Sequence, residues 1–215
     1  MIKHIIFDFD GVIANTNKLK VDLLAKILSE NFNHPNEKII EFIKLHPGLN
    51  RNLYINKLED ILDKKINKQK TLNQLSHNIS SILDTAEINP YLKEIRDHNK
   101  SINWYVITSG DEQEVKIFLK KNLLDGYFRN VRGGTDNKYL SFVELKKKYN
   151  IKEDESLIIG DGSKDYDLIK RTSIKGFLIK EWSQEPGFLI SINSPKVVIL
   201  KKIKDLRTQY KKYIK

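Results

Sequence analysis

Two carboxylates stand two positions apart directly after an apolar run: Asp8 and Asp10, in the stretch DFDGVIANT at residues 8 to 16. Ile5, Ile6 and Phe7 read as a buried strand, and Gly11 allows the chain to turn at its end. Alternate side chains of an extended chain leave the same side roughly 6–7 Å apart, so the pair can divide two roles. An aspartate with the ordinary pKa of ~3.9 is an anion at neutral pH, and Asp8 can therefore attack phosphorus without a separate base. Asp10 needs a raised pKa to hand a proton to a leaving oxygen, which burial or a charged neighbour supplies. The same letters are also compatible with a turn or a helix cap.

Three further segments place polar groups at the ends of apolar runs. WYVITSGD at 104 to 111 ends in Thr108, Ser109 and Gly110 ahead of a helix, where hydroxyls and free N–H groups form a phosphate-binding corner. A plain N-cap through Ser109 or Asp111 explains those residues equally. Lys138 follows the loop RGGTDN and opens a helix carrying Phe142, Val143 and Leu145. A lysine there opposes the helix dipole, which asks for a reason, although a lone cation among 38 Lys and Arg usually faces solvent. In IIGDGSKDYD at 158 to 167, Asp161 and Asp165 can converge on one Mg²⁺, an ion that prefers hard oxygen ligands. The alternative for Asp165 is that it only favours a helix N-terminus.

These residues need a scaffold that brings four strand ends together. Strand-like runs recur at residues 2 to 9, 103 to 108, 156 to 160, 175 to 180 and 197 to 200, with a weaker one near 127 to 131, and helical patterns separate most of them. That alternation predicts an α/β fold with a doubly wound, Rossmann-like parallel sheet. Ligands of such sheets bind outside the carboxyl ends of the strands, where Asp8 and Asp10 would stand. About ninety residues between the first two runs lack a strand. Val21, Leu24, Ala25 and Leu28 open a series of helical spacings broken at His34-Pro35, at His46-Pro47-Gly48 and around Lys64 to Lys70. The expected organisation is an α/β core of residues 1–15 and 87–215 with a helical cap, 16–86, inserted after the first strand.

Composition narrows the function classes. A hydrophobic content of 40% over 215 residues is enough for a sizeable core. Cysteine is absent, which removes disulfides and thiolate metal sites and makes a cytoplasmic location the expectation. No run reaches ~18 apolar residues, so no membrane span is expected, and Met1 leads into the first strand with no signal peptide in between. The net charge of +10 is uneven: residues 201 to 215 hold seven Lys or Arg against one Asp, leaving +4 for the other 200. Ile203, Leu206, Tyr210 and Tyr213 recur there at helical spacing, which predicts an amphipathic helix packed on the body, with nucleic-acid or membrane-surface contact as the rival.

Together the four strand ends resemble the haloacid dehalogenase superfamily of phosphotransferases. The first motif matches its DxDGV opening, Thr108 its strand-end hydroxyl, Lys138 its basic residue, and Asp161 with Asp165 its closing acidic motif. The resemblance implies that Asp8 forms an aspartyl-phosphate while Asp10 protonates the leaving group and then activates water. It implies Mg²⁺ held by Asp8, the backbone carbonyl of Asp10 and Asp161, with Asp165 in support. Thr108, the Ser109 N–H, Gly110 and Lys138 would hold the phosphoryl oxygens, the main requirement of such a transfer. The insertion is similar to the helical cap of the subgroup that includes phosphoglycolate phosphatase and β-phosphoglucomutase, where it would exclude water and choose the substrate. Asn15 departs from the Asp that many capped members carry, and Tyr139 replaces the usual proline after the lysine. Neither change removes a catalytic group, and retention of Asp10 separates the chain from halide-releasing members.

Specificity is expected in the cap, where His46-Pro47-Gly48-Leu49-Asn50-Arg51 is the most distinctive segment. His46 and Arg51 can read hydroxyls or a carboxylate on an acidic sugar, or can face solvent in a simple interhelical turn. The leading expectation is a Mg²⁺-dependent phosphatase of a small phosphorylated substrate, with no nucleic-acid partner. The alternatives are a phosphosugar mutase, which shares Asp8 and Asp10, and a non-catalytic binding module that uses the basic tail.

Overall fold

The computed structural model describes residues 1–135 and 137–214, without the side chains of residues 213 and 214, so the expected place of Tyr213 on the apolar stripe lies outside it. In chain order the elements are β1 (His4–Phe7), then four helices, α1 (Asn17–Phe32), α2 (Asn36–Leu45), α3 (Arg51–Leu62) and α4 (Lys68–Thr85). They continue with α5 (Leu92–Asp97), β2 (Asn103–Ile107), α6 (Glu112–Lys121), β3 (Phe128–Arg132), α7 (Lys138–Tyr149) and β4 (Ser156–Gly160). The chain closes with α8 (Ser163–Arg171), β5 (Lys175–Ile179), α9 (Pro186–Ser191), β6 (Val197–Leu200) and α10 (Ile203–Ile214). Each apolar run read as a strand holds one, with ends within two residues of the expected ones.

All six strands are parallel in the order β3-β2-β1-β4-β5-β6. The order in which the chain adds strands reverses between β1 and β4, the switch point where open α/β sheets leave a crevice. Phe7 is level with Val106 on one neighbour and Ile159 on the other, so the residues just past these strands emerge side by side. Alternation along the strands divides the core between the faces: Ile5, Phe7, Leu157 and Ile159 pack on one side, Ile6, Tyr105, Ile158 and Ile107 on the other. On α10, Ile203, Leu206 and Tyr210 are buried against the first of these cores, with Lys201, Lys202 and Lys204 turned out.

The four inserted helices build a third cluster of their own, in which Leu24, Leu28, Ile43, Ile55, Leu58 and Leu75 meet. Asparagines start two of these helices, Asn50 accepting from the Leu53 N–H at 3.0 Å and Asn67 from the Lys70 N–H at 3.0 Å. The C-terminal half of α4 changes partner: Ile79 and Leu83 pack into the sheet's own core. The chain rejoins the sheet region at Ala14, which bridges to Ile88, while Asn89 donates to the Val12 carbonyl.

Candidate active site

Five polar side chains that the rest of the fold would exclude are buried at the carboxyl edge of the sheet: Asp8, Thr108, Lys138, Asp161 and Asp165. Asp8 follows β1, Thr108 follows β2, Lys138 opens α7 after β3, and Asp161 and Asp165 follow β4. The backbone fixes each stem, as the Asp8 N–H donates to Ile159 at 2.8 Å and the Thr108 N–H to Arg132 at 2.9 Å.

Lys138 joins the group. Its Nζ lies 2.7 Å from Asp8 Oδ2 and 2.8 Å from Asp165 Oδ1. The second oxygen of each carboxylate meets backbone: the Phe9 N–H donates to Asp8 Oδ1 at 2.7 Å, and the Asp161 and Gly162 N–H groups donate to Asp165 Oδ2 at 3.2 and 3.3 Å. Asp165 thus orients the lysine and closes the start of α8 at once.

Charge in the cluster does not balance. Oxygens of Asp8, Asp161 and Asp165 all lie within 4.8 Å of one another, facing one ammonium. Burial, reinforced by Asp165 and Asp10 against the attraction of Lys138, pushes the Asp8 carboxyl up to about 7. Burial and then the charges of Asp8 and Asp165 raise Asp161 as well. For Lys138 burial works downward, but the attraction of Asp165 and Asp8 outweighs it and keeps the ammonium charged. Three carboxylates set against one ammonium, all of them hard oxygen donors, fit a divalent cation such as Mg²⁺. Gly11, at φ +73°, is required here, because a Cβ would fall 2.1 Å from Asp161 Oδ2.

Asp10 stands apart from this group. Its Oδ1 accepts from the Thr16 hydroxyl and pairs with Lys20 Nζ at 2.5 Å, both at the start of α1. Its Oδ2 stays on the side of Gly110, where an added Cβ would come within 3.6 Å. In the adjoining corner, Asp111 caps α6 by accepting from Gln113 and Glu114 N–H groups. Ser109 is thereby freed from capping, and its Oγ is buried without a partner among the described residues. Thr108 Oγ1 accepts from the Gly110 N–H at 3.0 Å.

These groups form one end of a cavity of about 400 Å³ whose other walls come from α1, α3, α4 and the loop between α2 and α3. Arg51 lines it, with its guanidinium bound bidentately to Glu114 of α6 and to Ser76. His46 is outside the lining: its ring stacks on Phe42 at 4.6 Å and its Nδ1 meets the Phe42 carbonyl. Gly48 from the same loop presses on the stem of Lys164, where a Cβ would come within 2.8 Å.

Sequence reasoning gave no role in the site to five of its residues. Asn17 Nδ2 donates to Asp161 Oδ2 at 2.6 Å and to the Trp182 carbonyl at 2.8 Å, while Gln184 braces Asn17 from behind. Thr16 and Lys20, which hold Asp10, lie four residues apart just after the first motif, a helical spacing that signals a shared face. Glu114 has no local signal, since its partner is 63 residues away in the chain.

Comparison with known proteins agrees with this architecture. A proposed β-phosphoglucomutase from Thermotoga maritima superposes with a TM-score of 0.69 at 17% identity, covering 99% of this chain and 100% of that one. A predicted phosphatase from Clostridium acetobutylicum gives 0.75 at 14% identity, with 99% of each chain covered. A proposed phosphoglycolate phosphatase from Lactobacillus plantarum gives 0.73 at 14%, covering 97% of this chain and 99% of that one. At such identities these structures speak for the fold alone. No curated protein sequence matches the chain closely enough to count as a relative. The model of haloacid dehalogenase-like hydrolases, however, matches residues 5–179, a span that runs from β1 to the end of β5 and takes in all four strand ends. The chain belongs to that hydrolase family.

Proposed function

We propose that the protein is a Mg²⁺-dependent phosphatase that hydrolyses a small organic phosphate through an aspartyl-phosphate on Asp8. The observation that carries this reading is the buried, over-acidic cluster of Asp8, Asp161 and Asp165 around Lys138 at the foot of a cavity. Three buried carboxylates opposing one lysine are costly in a purely structural site, and a function that needs a cation and a nucleophile accounts for them.

In this reading Asp8, Asp161 and the backbone carbonyl of Asp10, with Asp165 in support, would hold the ion, which would offset charge on the carboxylates and on the phosphoryl oxygens. Asp8 Oδ attacks phosphorus, the bond to the leaving oxygen breaks, and Asp10 delivers its proton to that oxygen. Water then attacks the aspartyl-phosphate, Asp10 takes up the proton, and the Asp8 carboxylate is restored. Lys138, the Ser109 hydroxyl and the N–H groups after Thr108 stabilise the charge of the transferring group. Asp10 is held beside the site by Thr16 and Lys20, so α1 determines where its proton is delivered. The helical segment 16–86 acts as a cap that excludes water and contacts the leaving group. Among the described residues no helix is long and apolar enough to cross a membrane, and a cysteine-free chain accords with a cytoplasmic enzyme.

Release of inorganic phosphate from an aryl phosphate in Mg²⁺ tests the proposal. Wild type is expected to turn over and Asp8→Asn to lose at least about a thousandfold in kcat. Equal rates for the two would remove Asp8 as nucleophile.

A further inference from the structure

We infer that the cavity selects a phosphate ester whose leaving group carries no second negative charge, and that Glu114 enforces this by neutralising Arg51. The inference rests on the phosphatase reading and specifies its substrate. Beyond the phosphoryl corner the wall is made of apolar and amide side chains, Leu24, Leu49 and Leu72 interleaved with Asn52, Gln69 and Asn73. Such a surface takes the apolar faces and hydroxyls of a sugar or aryl alcohol.

Two cations reach the cavity from the inserted helices, and both are occupied. Lys20 Nζ is 2.5 Å from Asp10. Arg51 Nη1 lies 2.9 Å from Glu114 Oε1 and 2.9 Å from Ser76 Oγ, while Nη2 meets Glu114 Oε2. Both side chains are largely covered, at 17% and 12% exposed. A guanidinium whose fork already holds a carboxylate has its charge offset there, which weakens it as a reader of a second anion. An acidic leaving group would find the Arg51 charge already offset by Glu114 and would face the lining carboxylate of Glu185, and like charges repel. Among the described lining residues, the cation without an ion pair is Lys164, which belongs to α8 on the core side, with its stem under Gly48. It stands in the first turn of α8, and its side chain reaches the loop between α2 and α3 at Gly48.

The experiment measures kcat/KM in Mg²⁺ for two matched pairs: phenyl phosphate with 4-carboxyphenyl phosphate, and glucose 1-phosphate with glucuronic acid 1-phosphate. Wild type is expected to prefer the neutral member by at least about tenfold, the scale of one unmatched buried charge. Glu114→Gln and Glu114→Ala are expected to shrink that ratio by about tenfold, through a lower KM for the acidic member. Equal or better turnover of the acidic esters by wild type overturns the inference, as does a preference for them that Lys164→Ala abolishes. Variants that slow both members alike, leaving the ratio in place, also overturn it, because the ion pair would then only strap α3 to α6. Phosphate release from none of the four esters contradicts the phosphatase reading itself.

Discussion

The molecule buries carboxylates in two regions and treats them oppositely. Glu59 of α3 lies inside the helical insertion, where Lys68 and Lys65 reach it at 2.8 and 3.1 Å and the Ile66 N–H donates at 3.2 Å. The hydrogen bond from Lys68, helped by Ile66 and Lys65 against burial, pushes its carboxyl down to about 2. At the sheet edge three carboxylates share one lysine, and Asp8 and Asp161 are pushed up instead. A buried acid with more donors than it needs is a fastener. Buried acids that outnumber their cations carry free energy that a bound cation can release, and that surplus marks the candidate site.

The contrast is strongest at Lys138. Lys138→Ala leaves Asp8 and Asp165 without their shared cation, and turnover is expected to fall by about a thousandfold. Denaturant unfolding should show a loss of about 3 kcal/mol in the absence of metal. A stable, active variant would mean that the lysine is incidental. Next in size is Asn17→Leu, which removes the amide that holds Asp161 Oδ2. Calorimetric titration is expected to show Mg²⁺ binding weakened by at least about tenfold, whereas unchanged affinity would reduce Asn17 to packing.

Acid response separates the two regions by sign. Folded, metal-free protein keeps a proton on Asp8 up to about pH 7, whereas the unfolded chain releases it near 3.8. The folded state therefore binds more protons across that window, and stability falls as pH rises through it. The metal-free Tm is expected to drop by several degrees between about pH 5 and pH 8, and Mg²⁺ or Asp161→Asn should flatten the slope. Glu59, held low, contributes stability that is present above 4.5 and lost as pH falls toward about 2. The smallest effect is on activity: Glu59→Gln is expected to abolish that acid-side loss while kcat/KM changes by less than about twofold. A large loss of turnover would erase the distinction between the regions.

Much of this arrangement is legible in the chain because buried parallel strands read as continuous apolar runs and their ends are short. Asp8, Thr108, Lys138 and Asp161 each stand at such an end, so the fold that makes the strands also gathers the residues. Relations between distant segments are not legible in that way. Arg51 lies in the conspicuous run after His46, yet its partner Glu114 lies in a helix whose pattern reports only its own buried face. The apolar spacing of α4 is uniform from Leu72 to Leu83, while Leu75 packs within the insertion and Ile79 and Leu83 join the sheet's core. Periodicity identifies which face is buried and is silent about what buries it. Asn17 is hidden for a related reason, since a polar residue at the start of a helix reads first as a capping residue.

The most direct test of the whole account is chemical trapping of the phosphorylated residue. Protein quenched during turnover of an aryl phosphate in Mg²⁺ is treated with borohydride, which reduces an acyl phosphate to the alcohol, and the peptides are then mapped. The account predicts homoserine in place of Asp8, and none in Asp8→Asn. Homoserine at another aspartate, or none while phosphate release proceeds, would contradict it.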